Sequence, residues 1–396
     1  MNRRNFLSTL GATYVAGNLS YSMEPKDDKS VIFIFLSGGI SAIDFINPVP
    51  DAPLEVRSNR GAIKIHNGEV IGGDFINLAK QSKDWTFVRS YHHRDNNHES
   101  ATYWSMTGEP NFRSKEDNWP SYGSMVSNQR GFSNKGVPTY VQTQRITGDG
   151  PAWLGAGHMG YRTDLQGIEN LKPKFTKGQL RRRLNITDAI EKNKNHLPKE
   201  WVDLREKGVD VIYGQAAAAL NLDKEPAVDK YSAKTSTFGR DCLLARRLVQ
   251  AGSSFVTVTN GGWDMHQGIS QGFERKAPEL DTILSVLIND LKEQGLLDKT
   301  LIVVTSEFSR TFKINRDAGR DHMSSCNSLL FAGGGFDHGN VIGKTNATAN
   351  EVVEDEFSPK DLAWTLGNYF GMNKELVLHD HVNRPRPMFQ DAKVII

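Results

Sequence analysis

Asp264-Met265-His266 sets a carboxylate and an imidazole two residues apart. On an extended segment such residues point to one side, so both can reach a single ion. Oxygen and imidazole donors suit zinc, manganese or iron. The structural alternative is a turn aspartate capping a helix beside a surface histidine. Asp321-His322 is an adjacent pair that meets one centre only in a loop; otherwise it is a surface ion-pair loop. Glu307 ends a very apolar stretch, where a carboxylate must be solvated, paired or metal-bound. Asp44 follows Gly38-Gly39 and is either a ligand or an Asx-turn or helix cap. His92, His93 and His98 fall close together after a strand-like run, which raises the expectation that one of them contacts the ion. Arg310 and Arg320 carry planar forks that suit an anionic oxyacid, although Glu307, Asp317 and Asp321 are alternative partners. Trp85, Trp104, Trp119, Trp153 and Trp263 can stack on sugars or simply pack.

Strands must position these groups. Val31–Leu36 is a continuous apolar run stopped by Ser37-Gly38-Gly39, which reads as a buried parallel strand. Further strands are expected at Trp85–Val88, Ser254–Thr259, Thr300–Thr305 and Asn327–Ala332. Helical spacing marks Phe75–Ser82, Gly239–Gly252 and Pro278–Leu297, and Ser358-Pro359 begins another helix. Asn340–Gly343 reads as a hairpin arm. Strands alternating with helices predict an α/β fold, three-layer α/β/α with a mostly parallel central sheet. In such sheets ligands sit beyond the carboxyl ends of the strands, and four strand exits here carry Asp, His or Glu. The stretch of about 109–235 lacks clean periodicity and reads as a large insertion or cap, with helices at Ile186–Asn193 and Pro198–Lys207.

Composition narrows the class. The chain has 396 residues, 48 Lys plus Arg against 46 Asp plus Glu, and 38% hydrophobic residues. This excludes a mostly disordered chain and gives no basic excess for nucleic acid. No run is long and apolar enough for an ordinary transmembrane helix. Cys242 and Cys326 cannot build a disulfide scaffold or a four-thiolate zinc site. Arg3-Arg4 before a short apolar stretch resembles a twin-arginine signal, so residues 1–29 are read as signal and linker and residues 30–396 as the folded domain. That reading predicts a periplasmic or cell-envelope protein, exported folded by the twin-arginine translocase. The alternative is a frayed amphipathic terminus. G-x-S-x-G, Walker and H-E-x-x-H motifs are absent.

Arg246–Gly252, Gly261–His266, Thr305–Thr311 and Gly319–His322 resemble, in order, the motifs of domain-of-unknown-function family 1501, over roughly residues 30–375. That family is assigned by similarity to the alkaline-phosphatase and sulfatase superfamily. The resemblance implies a metal site at the strand ends of an enzyme that hydrolyses phosphate or sulfate esters. It matches Asp44 to the Asp after the first strand, Thr107-Gly108 to a Thr-Gly, and the nucleophile position to the neighbourhood of His98. Asp264, His266, Glu307, Asp321 and His322 match the later ligands. His98 stands where Ser, Thr or modified Cys would attack, and Glu307-Phe308 replaces an Asp-His pair. The expectation is therefore one or two divalent ions (zinc, manganese, calcium or magnesium) that activate water. His98 is the ligand or base, and Arg310 or Arg320 neutralises the oxyanion. The substrate is an anionic ester such as a sulfated or phosphorylated glycan. The rival expectation is a catalytically inactive binding protein on the same scaffold, holding a glycan or protein partner.

Overall fold

The computed structural model describes residues 28–110, 118–131, 136–163, 175–191, 205, 208–222 and 225–396. The signal read at residues 1–29 lies outside the described residues except for its last two. The helix expected at Pro198–Lys207 lies outside them except for Arg205.

Strand β1 (Ser30–Phe35) is buried along its whole length. Its side chains alternate between two cores. Ile32, Ile34 and Leu36 face one apolar cluster, while Val31, Phe33 and Phe35 face another. A strand with both faces covered needs apolar residues at every position, which explains the unbroken run. The other strands of this sheet are β2 (Trp85–Tyr91), β3 (Tyr140–Gln142), β4 (Tyr161–Arg162), β5 (Phe255–Thr259), β6 (Thr300–Thr305), β7 (Asn327–Gly333) and β8 (Val341–Ile342). Their order is β8-β2-β7-β6-β1-β5-β3-β4. Strand β7 runs antiparallel to both of its neighbours, and every other pairing is parallel.

The labelled helices are α1 (Ala42–Phe45), α2 (His98–Thr107), α3 (Tyr122–Arg130), α4 (Thr237–Ala251), α5 (Ile269–Glu293) and α6 (Pro359–Tyr369). Helices α4 and α5 cover one face of the sheet through Leu243, Leu244, Leu248, Leu280, Leu284 and Leu287. Helices α2, α3 and α6 cover the other through Met106, Met125, Val126, Leu362 and Leu366. The architecture is three-layer α/β/α, as the alternation of elements predicts. Helix α6 opens on a capping box, Ser358 with Asp361, and has proline at its start.

Three expectations change. Helix α5 begins at Ile269, not at Pro278. Ile269, Phe273, Ala277, Leu280 and Leu284 make one buried stripe, and its burial outweighs the backbone hydrogen bond that Pro278 cannot donate. Val341–Ile342 is not a hairpin arm but a parallel edge strand on β2. The stretch of about 109–235 is not only a cap, because β3 and β4 extend the sheet next to β5 and α3 packs beneath it. Helix Lys177–Glu191 overlaps the one expected from Ile186. Among the described residues no helix is long and apolar enough to cross a membrane.

Candidate metal centre

Four exits at the carboxyl ends of parallel strands meet above the sheet. After β1 the chain turns at Gly38, whose φ of 109° favours glycine. A Cβ there would lie 2.6 Å from the Asp264 backbone nitrogen, so the exits of β1 and β5 pack backbone to backbone. After β2 a loop leads to Asn97, which caps α2 by accepting from the Glu99 and Ser100 N–H groups, and His98 is the first residue of that helix. After β5 come Asp264 and His266. After β6 come Glu307 and a short antiparallel ribbon that pairs Arg310 with His322.

Three imidazoles surround the Asp264 carboxylate. His98 Nε2 lies 3.3 Å from Asp264 Oδ2. His266 Nε2 and His322 Nε2 lie 3.0 and 3.4 Å from Oδ1. The other nitrogen of each ring is already committed. His98 Nδ1–H donates to Glu307 Oε1 at 2.8 Å, His266 Nδ1–H to Asp321 Oδ1 at 2.7 Å, and His322 Nδ1–H to the Asn96 carbonyl at 2.8 Å. Carboxylates and carbonyls only accept, so these partners hold the proton on Nδ1. All three rings therefore turn Nε2 towards Asp264, and Arg310 Nη1 also reaches His266 Nε2 at 3.4 Å. His98 Nε2 is buried with no hydrogen-bond partner. His266 Nε2 and His322 Nε2 face each other at 2.9 Å. Two lone pairs that close repel unless a cation or a proton lies between them.

This donor set fits a divalent ion. One ligand atom each from His98, Asp264 and His322 lie within 4.8 Å of one another. Bonds of about 2.0–2.1 Å in a tetrahedral site place the ligands roughly 3.3 Å apart. His266 adds a fourth nitrogen beside them. Burial works against the ionised Asp264 carboxyl, but Arg310 and the imidazoles hold it below the usual range. The Glu307 carboxylate pushes His98 up. Burial holds His322 down. The His266 bond holds the Asp321 carboxyl down.

Of the residues expected at the site, His98, Asp264, His266 and His322 converge directly. Glu307 and Asp321 act one step back. Glu307 is 1% exposed. Its Oε1 accepts from Gly38 N–H as well as from His98, and its Oε2 accepts from Ser306 Oγ. It orients the ring, with contacts already on both of its oxygens. Asp321 likewise supports His266, and Asn315 Nδ2 supports Asp321 at 3.3 Å.

Asp44 and Arg320 stand apart from the cluster, contrary to expectation. Asp44 accepts from Ser41 Oγ and Ser58 Oγ, both at 2.7 Å, and pairs with Arg320 Nε at 3.1 Å. The helix-cap alternative describes it, since Ser41 caps α1. The Arg320 guanidinium is 0% exposed and also donates to the carbonyls of Val56, Arg57, Thr311 and Phe312. Arg310 is beside Asp264 but equally enclosed. Neither arginine faces solvent, so neither is placed to meet an incoming oxyanion. His92 lies 4.0 Å from Glu356, and His93 Nε2–H donates to the Glu307 carbonyl.

The cluster opens into a cleft of about 950 Å³. His98 and Asp264 line it together with Trp119, Tyr103 and Arg145. The sequence did not single out Arg145 or Tyr103. The supports from Gly38 N–H and the Asn96 carbonyl are backbone groups without a residue signature. Phe308, whose ring lies 4.8 Å from His98 and 4.5 Å from His322, sits inside a quoted motif.

A family model described as protein of unknown function (DUF1501) matches residues 28–396. The chain belongs to that family. No curated protein matches this DUF1501 sequence. Solved structures similar to this DUF1501 chain include the PsFucS1 sulfatase from Pseudoalteromonas sp., at 12% identity and a TM-score of 0.43, with 97% of this chain and 75% of that chain covered. The phosphonate monoester hydrolase SpPMH from Silicibacter pomeroyi is 13% identical, with a TM-score of 0.39 and coverages of 93% and 76%. A protein in the alkaline phosphatase superfamily from Vibrio parahaemolyticus is 11% identical, with a TM-score of 0.41 and coverages of 90% and 69%. Likeness at this level carries no information on the activity of the DUF1501 chain.

Proposed function

We propose that the protein is a metal-dependent hydrolase of phosphate or sulfate esters that uses water as the nucleophile. One observation carries the reading: three rings, each with Nδ1 against a carboxylate or carbonyl oxygen, turn Nε2 towards one carboxylate that lines a cleft of about 950 Å³. His98, Asp264 and His322 would hold the ion, with His266 next to them. A nitrogen-rich set favours zinc over calcium or magnesium. A divalent ion held there supplies charge against the ester oxygen and lowers the pKa of water.

The chain's own groups do the rest. Glu307, Asp321 and Asn96 orient the rings before substrate arrives, as outer partners of metal-site histidines do. Arg145, exposed and lining the same cleft, is the guanidinium that the cleft offers to an anionic ester. Trp119 and Tyr103 line it too, and the Trp119 N–H donates to the Tyr103 hydroxyl at 2.5 Å. Such a lining suits a bulky leaving group, a sulfated or phosphorylated glycan among the candidates.

Metal analysis joined to a screen of aryl phosphates and sulfates on wild type and Asp264→Ala tests the proposal. Hydrolysis that requires the ion and fails in Asp264→Ala supports it. Enclosure of both Arg310 and Arg320 favours a second reading, a non-catalytic binding protein. Metal-free protein inert towards all esters supports that one. The site of action belongs to the proposal too: export by the twin-arginine translocase into the cell envelope. Cell fractionation after Arg3→Lys with Arg4→Lys tests it, and an unchanged distribution counts against it.

A further inference from the structure

Arg310 makes more contacts than a surface cation needs. Its Nε–H donates to the Gly39 carbonyl at 2.8 Å. Nη1 donates to the Arg320 carbonyl at 3.3 Å and towards His266 Nε2 at 3.4 Å. Nη2 donates to the Gly38 carbonyl and, at 2.5 Å, to Asp264 Oδ1. All five N–H groups of the fork are in use, and the residue is 0% exposed. The guanidinium is thus a fixed part of the centre, and it cannot give up its proton as a lysine can.

The two oxygens of Asp264 face different surroundings. Oδ2 looks towards His98, and Oδ1 looks towards His266, His322 and Arg310. A carboxylate can bridge two cations, one at each oxygen, as in two-ion hydrolytic sites. Here one of those cations is already supplied by the protein. We infer that the Arg310 guanidinium occupies the second cation position beside Asp264 Oδ1, so the centre takes a single divalent ion.

Charge balance agrees. Asp264, Glu307 and Asp321 bring three carboxylates, and Arg310 together with one divalent ion neutralises them. A second divalent ion would leave two positive charges uncompensated and close to a buried guanidinium. The inference rests on the metal-centre part of the proposed function but not on turnover.

Two measurements on the full chain test it. Elemental analysis after zinc loading, and the electron paramagnetic resonance spectrum after manganese loading, are expected to give about one ion per chain and the signal of an isolated ion. Two ions per chain, or an exchange-coupled manganese pair, overturns the inference. Arg310→Gln removes the charge and keeps a polar donor; it is expected to gain a second equivalent, whereas Arg310→Lys keeps one. Arg310→Gln that stays at one equivalent with unchanged affinity also overturns it. If that variant does not fold, the wild-type spectrum still decides. A chain that binds no ion removes both the metal centre and the inference. A chain that binds one ion and hydrolyses nothing defeats the proposed activity and leaves the inference standing.

Discussion

His266 Nε2 and His322 Nε2 lie 2.9 Å apart, and neither ring is free to turn away. Asp321 holds one from behind and the Asn96 carbonyl holds the other. Between two unprotonated nitrogens this contact is unfavourable, and Arg310 Nη1 reaches His266 Nε2 only at 3.4 Å, so the folded state should bind an ion that the unfolded chain binds poorly. Zinc at about 100 times its Kd is expected to add about 2.7 kcal/mol of stability. The check is thermal unfolding with zinc and with chelator, and identical curves would speak against a metal centre.

Glu307 holds His98 Nδ1 at 2.8 Å. Glu307→Gln keeps an oxygen but loses the charge that fixes the ring. Outer partners of this kind typically account for about 10–100-fold in metal affinity. Calorimetric titration of the variant should show a loss in that range with the fold intact by circular dichroism. Full retention of affinity would mean that the ring is held by something else.

Asp44 and Asp264 should behave oppositely. Asp44→Asn breaks an enclosed ion pair with Arg320 and is expected to destabilise by about 3–5 kcal/mol. Its metal content should not change. Asp264→Asn should lose the ion at modest cost in stability, because the side chain is 46% exposed. Urea unfolding and elemental analysis of both variants separate the roles; loss of metal in Asp44→Asn would return that residue to the ligand set.

The metal-free protein should weaken on acidification. Burial holds His92, His93, His322 and His338 below their ordinary value. Their unfolded counterparts take protons as pH falls through about 6.5. The unfolded state then binds more protons, so stability drops across that window. His98, raised by Glu307, contributes in the opposite sense: its stabilisation is present at low pH and lost as pH rises through its folded pKa. Among the histidines, four lowered against one raised predict a net loss across the histidine window. Melting temperatures in chelator at about pH 7.5 and pH 5.5 measure it, and a rise at the lower pH contradicts the assignment.

Arg145 is exposed and lines the cleft that His98 and Asp264 also line. One charge-assisted contact at such a position corresponds to roughly tenfold in affinity. Arg145→Ala is therefore expected to raise KM for an anionic aryl ester about tenfold with little change in kcat. A fall in kcat at constant KM would place the residue in the reaction itself.

Much of this centre is legible before any coordinates. Unbroken apolar runs such as Val31–Leu36 and Thr300–Thr305 require burial on both faces, so the parallel sheet follows from them. The ligand rule for such sheets then points to Asp264, His266 and His322. Rank within the centre is not legible. Glu307 and Asp264 are both carboxylates after strands, and only the geometry shows that one orients a ring and the other faces it. Arg320 and Asp44 lie far apart in the chain, and their pairing depends on how the loops fold back over α1. Pro278 misplaces the start of α5 because a local breaker was weighed above a stripe that runs on both sides of it.

Glu307 ties together chain positions 269 and 209 residues distant, at Gly38 and His98. His322 must arrive later still. A chain released early, or one with a single strand out of register, lacks part of the cradle. Retention of the proposed ion would then double as proofreading: only a molecule whose last sheet connections are made would keep it, and a half-finished one would drop it.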